Sequence, residues 1–535
     1  MPIIESRISP NETSFRENCE GMLAQIAQLE NLQQSMMAEG EKARPRFEAK
    51  GKLLPRDRLH ALLDPGSPFF EICPFAGYQM EEDKDGSQAG GGIIGGIGYV
   101  EGRRVLVMVN NSAVKGGVIS PTGLEKSLRL QKVSLENKLP LLFLAESGGA
   151  NLNYAAEVFV EGARSFANQA RLSAAGIPQI TVVHGNATAG GAYQPGLSDY
   201  VIVIDQQSKM FLAGPPLLKA ATGEVAGDEE LGGGRLHAQD VGTAEFIAHN
   251  DEEAIQYARD LVAKVVEPSR GLPREFAEPQ YAPDDIMGVI PASPRTPYDV
   301  RELLARLLDG SDFLEFKGAY DQGTICGYGS IMGTRCGLVG NNAPITYQGA
   351  TKAAQFIQLC DQSRLPLVFL HNTTGFLVGT DSEQGGIIKH GSKMIQAVTN
   401  ARVPKISMVV GGSYGAGNYA MCGRGFDPRF ILSWPGSRTA VMGGAQAGKV
   451  MRIVAEAKSR KAGIPVDEDR LRAMERATQQ KLDASSTALY GSARLWDDGV
   501  IDPRDTRTVL GFLLETVQEG DTKSPHVNTF GISRM

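Results

Sequence analysis

Two short runs of small residues stand 226 positions apart: Thr188-Ala189-Gly190-Gly191-Ala192-Tyr193 and Tyr414-Gly415-Ala416-Gly417-Asn418-Tyr419. In this alignment Gly190 matches Ala416, Gly191 matches Gly417, and Tyr193 matches Tyr419. Each run follows a short apolar segment of strand character. A strand that ends in small residues and then enters a helix presents backbone N–H groups that have no partner within the helix. With no side chain in the way, an oxyanion can approach them, and two such groups form an oxyanion hole. Gly190, Gly191, Ala416 and Gly417 are therefore expected to act through the backbone. One such loop alone is better explained by tight packing of a strand against a helix; two matched loops favour the catalytic reading. Three further small-residue turns are candidates to line a pocket, through Gly148 and Gly149, Gly214, and Gly443 and Gly444.

Other motifs fail on their context. Gly411-Gly412-Ser413-Tyr414-Gly415 fits the G-x-S-x-G nucleophile elbow. The one histidine after it is His526, near the C-terminus, and the matched residue in the first run is Ala187. Gly443-x-x-x-x-Gly448-Lys449 nearly fits a P-loop, but Val450 stands where a Mg²⁺-binding hydroxyl belongs. Gly90-x-Gly92-x-x-Gly95 follows a polar stretch rather than a strand, which argues against a dinucleotide fingerprint. The seven histidines are scattered, and no Cys-x-x-Cys spacing occurs among the six cysteines, so no metal site is expected.

The elements that position these runs are duplicated. Leu139-Pro140-Leu141-Leu142-Phe143-Leu144 returns as Leu365-Pro366-Leu367-Val368-Phe369-Leu370, and Ile177-Pro178 returns as Val403-Pro404. Asn110-Asn111 returns as Asn341-Asn342, Gly98-Tyr99 as Gly327-Tyr328, and Leu62-Leu63-Asp64 as Leu307-Leu308-Asp309. Order is kept throughout, which is the signature of internal duplication. Prolines crowd positions 268–297 and mark a linker, giving halves of 1–285 and 286–535. Continuous apolar runs at 139–145 and 179–184 read as buried strands; 124–136 and 251–265 carry helical spacing. The fold class is α/β. Ser14-Phe15-Arg16-Glu17 resembles a capping box that opens a helix with Met22, Ile26, Leu29 and Met36 on one stripe. A charged helical stretch near 445–485 has no counterpart in the first half.

Composition narrows the class. The chain has 535 residues, 42% hydrophobic and 21% charged, with a net charge of -7. That balance suits a globular protein and excludes a disordered one. No basic block points to nucleic acid, and no apolar run reaches the ~20 residues of a membrane span. Glycine, at 63 residues, is well above its usual share of about 7%, yet it is not periodic as in collagen. Six thiols in so long a chain, and an N-terminus without an apolar core, predict a cytoplasmic protein.

The runs Ala145-Glu146-Ser147-Gly148-Gly149-Ala150-Asn151-Leu152, Phe211-Leu212-Ala213-Gly214-Pro215-Pro216-Leu217, Gly415–Arg424 and Ala493–Pro503 carry a resemblance over nearly the whole chain. It resembles the carboxyltransferase (β) subunit of biotin-dependent acyl-CoA carboxylases, in the 3-methylcrotonyl-CoA and geranyl-CoA carboxylase branch. The resemblance implies two tandem crotonase-like (ClpP/crotonase) domains, the N-terminal one for acyl-CoA and the C-terminal one for biotin. It implies active sites between subunits of a homo-oligomer, within a hetero-dodecamer. Biotin is implied on a separate biotin carboxylase/biotin carrier α subunit, CoA as part of the substrate, and no metal. Carboxybiotin would release CO2, and an enolate formed by loss of a γ proton would be carboxylated. Gly190-Gly191 and Ala416-Gly417 would jointly stabilise the enolate and ureido oxygens, so proline at Gly191 or Gly417 should abolish transfer. Small residues Gly162, Ala163 and Ala167, with Phe166, imply a deeper acyl pocket that leans to geranyl-CoA, with 3-methylcrotonyl-CoA next. An acetyl- or propionyl-CoA carboxylase β subunit, a stand-alone crotonase-type hydratase or isomerase, and an inactive scaffold subunit are the alternatives.

Overall fold

The computed structural model describes residues 3–269, 275–291, 296–463 and 465–533. Met1 and Pro2 of the N-terminus, Pro273 and Pro294 of the proline-rich stretch, and Ile464 of the charged stretch lie outside the described residues. The chain divides into two compact units. The first-repeat unit comprises Asn31–Leu272, Ala493–Leu495 and Thr516–Met535; the second-repeat unit comprises Met1–Glu30, Pro273–Ser492 and Trp496–Glu515.

Strands of the first-repeat unit are β1 (Phe70–Glu71), β2 (Ile93–Val100), β3 (Arg103–Asn110), β4 (Leu141–Ser147), β5 (Gln179–Thr188), β6 (Tyr200–Ile204), β7 (Lys209–Phe211) and β8 (Phe246–Ala248). Those of the second are β9 (Leu314–Glu315), β10 (Thr324–Ile331), β11 (Thr334–Asn341), β12 (Leu367–Thr373), β13 (Lys405–Tyr414), β14 (Phe430–Ser433) and β15 (Arg438–Ala440). Among the described residues they form two sheets. One has the order β1-β2-β3-β4-β5-β6-β8 with β7 on β5; the other has the order β9-β10-β11-β12-β13-β14 with β15 on β13. In each, an antiparallel hairpin leads into parallel strands. Leu141–Ala145 and Leu367–Leu370 are buried without alternation, as parallel strands covered on both faces must be.

The repeat holds at the level of single contacts. Asp64 accepts hydrogen bonds from the amides of Glu101 and Gly102 at the tip of the β2–β3 hairpin, and Asp309 accepts from Met332 and Gly333 at the β10–β11 tip. Lys126, fully buried, donates to the carbonyl of Ile93 at 2.6 Å, and Lys352 donates to that of Asp321 at 3.1 Å. The expected match of Gly98-Tyr99 with Gly327-Tyr328 is corrected by register. Opposite the short first strand of each sheet, Gly96 faces Glu71 and Gly327 faces Glu315, so Gly96 is the partner of Gly327. The slip is two residues, one strand period, which keeps every side chain on its face and so escapes a pattern-based reading.

The helices Pro121–Asn137 and Asp251–Val265 form where helical spacing predicts them. The N-terminal helix runs Thr13–Glu41 and buries Phe15, Met22, Ile26 and Leu29; Met36 is half-buried. Its start departs from the expected capping box, since Ser14 Oγ reaches Glu12 rather than closing the helix. Asn18 Nδ2 donates to the carbonyl of Gly288, which ties the helix start to the second-repeat unit. The charged stretch folds as a hairpin of Gly444–Lys461 and Glu468–Ala484, with Arg452 bridging Glu468 and Glu475. Among the described residues no helix is long and apolar enough to cross a membrane.

Candidate active site

Each unit builds the same corner. The parallel strand before the glycine turn is longer than its neighbour, and the ladder breaks between Ala145 and Ser147 in one sheet and between His371 and Thr373 in the other. The extra residues on β5 and β13 lift the strand end and hand it to a short helix. A methyl group at Gly185 would sit 2.4 Å from Glu146 Oε1, and one at Gly411 2.2 Å from Asn372 Oδ1, so a side chain at either bulge would have to displace that neighbour.

The turns themselves are near-copies. Ala189 and Gly415 hold the matched left-handed position, each at φ 53°. Gly190 and Ala416 are exposed, whereas Gly191 and Gly417 are buried. The first turn winds as a 3-10 segment, Ala189–Ala192, and the second as the α-helix Gly415–Ala420. The opening amides of both lack intrahelical partners. A methyl at Gly191 would meet nothing within 4 Å, but one at Gly417 would stand 2.8 Å from Gly375 Cα. Proline at Gly417 therefore strains the fold as well as removing a donor, and the cleaner probes of the amides are the exposed Gly190 and Ala416.

In the first-repeat unit, Gly149 (φ 93°) faces Thr188, and its amide is taken by Ser147 Oγ at 3.1 Å. Gly148 lines a cavity of about 240 Å³ with Arg46, Lys50, Lys52 and Glu146. Behind it lies a buried charged network. Lys52 and Arg58 pair with Glu146 at 2.7 and 2.6 Å, and Arg58 and His184 pair with Asp251 at 3.0 and 2.8 Å. Burial alone would raise the Glu146 pKa; the Arg58 and Lys52 charges outweigh it and hold the carboxylate below its ordinary range. Asp251 is held low in the same way by His184 and Arg58. The helix Ala155–Ala174 carries Gly162, Ala163, Phe166 and Ala167, and of these Phe166 reaches the turn. Phe166 Cζ comes within 3.5 Å of a methyl placed at Gly190, and its ring lies 5.4 Å from that of Tyr193. A methyl at Gly162 would meet nothing within 4 Å. Gly214 caps the start of the helix Pro215–Thr222, next to Phe211.

In the second-repeat unit, Gly415, Ala416, Asn418 and Tyr419 line a cavity of about 560 Å³. Val409, Ala440, Val441, Ala488 and Trp496 give it apolar walls, and Asp497 and Ser433 give it polar ones. Asp497 is 3% exposed; burial pushes its pKa up to about 6, against hydrogen bonds from Ser433 and Ser492 and the charge of Arg424. Gly443, where a methyl would meet nothing within 4 Å, caps the helix Gly444–Lys461, while Gly444 packs on Asp483 of the neighbouring helix and serves helix–helix contact. Ser413 is fully buried with its hydroxyl engaged by His371 and Asn418, which removes it as a nucleophile. Among the described residues no group of three or more His, Cys, Asp or Glu is placed to hold a metal ion.

Sequence reasoning missed Gly375, Asp497 and the basic group Arg46, Lys50 and Lys52. Gly375 was within reach: it lies 226 positions after Gly149, has φ 117°, and faces Tyr414 as Gly149 faces Thr188.

A model of the carboxyl transferase domain matches residues 46–528. The chain is 44% identical over 536 residues, covering all of both chains, to a probable biotin-dependent acyl-coenzyme A carboxylase beta2 subunit of Mycobacterium tuberculosis. It is 46% identical over 495 residues, 91% of this chain and 93% of the relative, to the 3-methylcrotonyl-coenzyme A carboxylase beta1 subunit of the same organism. Among solved structures, the beta subunit of geranyl-CoA carboxylase from P. aeruginosa superposes with a TM-score of 0.94 at 59% identity, over all of both chains.

Proposed function

The chain belongs to the carboxyl transferase family, and from that premise we propose how its residues carry the reaction. It is the carboxyltransferase subunit of a biotin-dependent acyl-CoA carboxylase, built from two crotonase-like domains. The first-repeat unit takes the acyl-CoA, under Gly190-Gly191 and the helix bearing Gly162, Ala163, Phe166 and Ala167, with Gly148, Gly149 and Gly214 shaping the approach. The second-repeat unit takes the biotin of a partner α subunit. Its cavity suits a small bicyclic urea: about 560 Å³, apolar walls, and a turn of backbone amides at one side. Bound there, carboxybiotin would supply the CO2 that the enolate attacks and a ureido nitrogen to take the acyl-CoA proton.

The chain's own part is to stabilise charge. As the acyl-CoA loses its proton, from the γ carbon in a β-methyl enoyl-CoA, negative charge builds on the thioester oxygen. One turn donates backbone N–H groups to that oxygen and the other to the ureido oxygen, fixed in place before the charge develops. The observation that carries this reading is the matched pair of turns, with Gly190 and Ala416 exposed at the same position of each. Geranyl-CoA is the substrate we favour, then 3-methylcrotonyl-CoA; the open space above Gly162 and the 59% identity to a geranyl-CoA carboxylase beta subunit support it. We place the protein in the cytoplasm, in keeping with six free cysteines, five of them buried. We further propose a homo-oligomer that completes its sites between subunits, within a hetero-dodecamer with the α subunit.

The test is carboxylation of both acyl-CoAs by the complex with the cognate α subunit. Biotin-dependent turnover with geranyl-CoA preferred is expected; no turnover refutes the function, and preference for the shorter substrate refutes the substrate assignment. Gly190→Pro and Ala416→Pro should each lower turnover ~10²–10³-fold with the fold intact.

A further inference from the structure

Ser413 is the middle of a three-residue chain in which it and His371 are fully buried and Asn418 is half-buried. Asn418 Nδ2 donates to Ser413 Oγ at 2.8 Å, and Ser413 Oγ lies 2.9 Å from His371 Nδ1. The hydroxyl has one proton and two lone pairs, so beside the Asn418 bond it pairs with Nδ1 in either tautomer of the neutral ring. Burial favours that neutral form, lowering the His371 pKa to about 4 against the backbone of Met421.

The chain joins three pieces of backbone: β12, the lifted end of β13, and the helix Gly415–Ala420 that presents Ala416. It crosses the place where the β12–β13 ladder shifts register, between His371 and Thr373, and so adds a side-chain tie to the backbone pairing of the strand end with Thr373 and with β15. Asn418 also lines the 560 Å³ cavity.

The first repeat supplies the control. At offset 226, the counterparts of His371, Ser413 and Asn418 are Ala145, Ala187 and Ala192. All three polar members are alanine, two on the same bulged strand pair and Ala192 in the turn that follows it. The first corner therefore folds without such a chain. A buried polar network fully partnered adds rigidity, and one member alone leaves an unsatisfied group.

We propose that His371, Ser413 and Asn418 form a positioning chain that holds the second glycine turn in its working geometry, a device the first turn does not use. Its effect on turnover rests on the carboxyltransferase reading; its effect on the turn does not. A small misplacement of catalytic donors costs rate more than affinity for substrates held elsewhere.

The experiment uses the full chain with its α subunit. Ser413→Ala, Asn418→Ala and the double variant should each lower kcat roughly tenfold or more, with KM for acyl-CoA within about twofold. The double variant should lose no more than the worse single one, because the members act as a unit. His371→Asn, which keeps an acceptor near the Nδ1 position, should recover at least half the loss seen in His371→Ala. Independently of activity, hydrogen exchange across residues 414–421 should quicken in Ser413→Ala while 188–195 stays unchanged. Unchanged exchange, additive losses, or wild-type kcat in Ser413→Ala would each overturn the proposal. So would failure of the variants to fold, which would make the chain a foldedness requirement. Quickened exchange in a protein whose wild type carboxylates nothing would uphold the chain and sink the functional reading instead.

Discussion

Asp497 shows how much one residue's surroundings decide. It sits in the wall of the second-unit cavity with almost no exposure, beside Arg424, whose guanidinium pairs with Asp498 at 2.9 Å. The folded chain holds the Asp497 proton up to about pH 6, whereas an unfolded chain releases it near 3.8. The stability this group lends is therefore present below about pH 4 and lost as pH rises towards 6, up to about 3 kcal/mol in total. Asp497→Asn cannot ionise. Its stability relative to the wild type should improve by an amount of that order between pH 4 and pH 7.5, read from unfolding midpoints across the range. Parallel pH curves for the two proteins would disprove the shift. Ala416 carries the complementary lesson: an alanine stands where the first repeat has Gly190, and the proposed role of this exposed position asks only for its amide.

At the scale of elements, the proposed function gives the helix Ala155–Ala174 the acyl pocket. Gly162 precedes Phe166 by one turn, and the space beside it is open. Phenylalanine there would fill the volume a longer acyl chain needs. Gly162→Phe should shift the kcat/KM ratio roughly tenfold or more towards 3-methylcrotonyl-CoA, measured against geranyl-CoA in competition; an unchanged ratio would remove this helix from the specificity argument. Much of this level was legible in the sequence. Apolar runs gave β4, β5, β12 and β13, and the fixed offset found both glycine turns. What escaped has a physical reason in each case. The slip at Gly98 preserved strand faces. Gly443 and Gly444 look like another pocket turn, yet the helix hairpin buries Gly444 against Asp483. The His371–Ser413–Asn418 chain joins residues from three elements, and no local pattern marks it. The Gly417-Gly375 approach likewise depends on two loops meeting.

For the whole molecule, the proposed site between subunits makes a clear prediction. A Gly190→Pro chain is damaged in its first unit and an Ala416→Pro chain in its second. Co-assembled, they form some sites in which both units are intact, and about a quarter of wild-type turnover should return for random pairing across a two-fold interface. Sites confined to single chains would give no recovery.

The two units have also invested their buried polarity on different sides of one corner. The first ties Glu146 and His184 into charges where the second has Asn372 and Val410; the second ties His371, Ser413 and Asn418 together where the first has three alanines. A single residue copied from one half into the other arrives without its partners, leaving either a stranded polar atom or a hole. The halves can thus no longer exchange parts one mutation at a time. What began as redundancy has become a ratchet, in which each copy is locked into its own role by the company its residues keep.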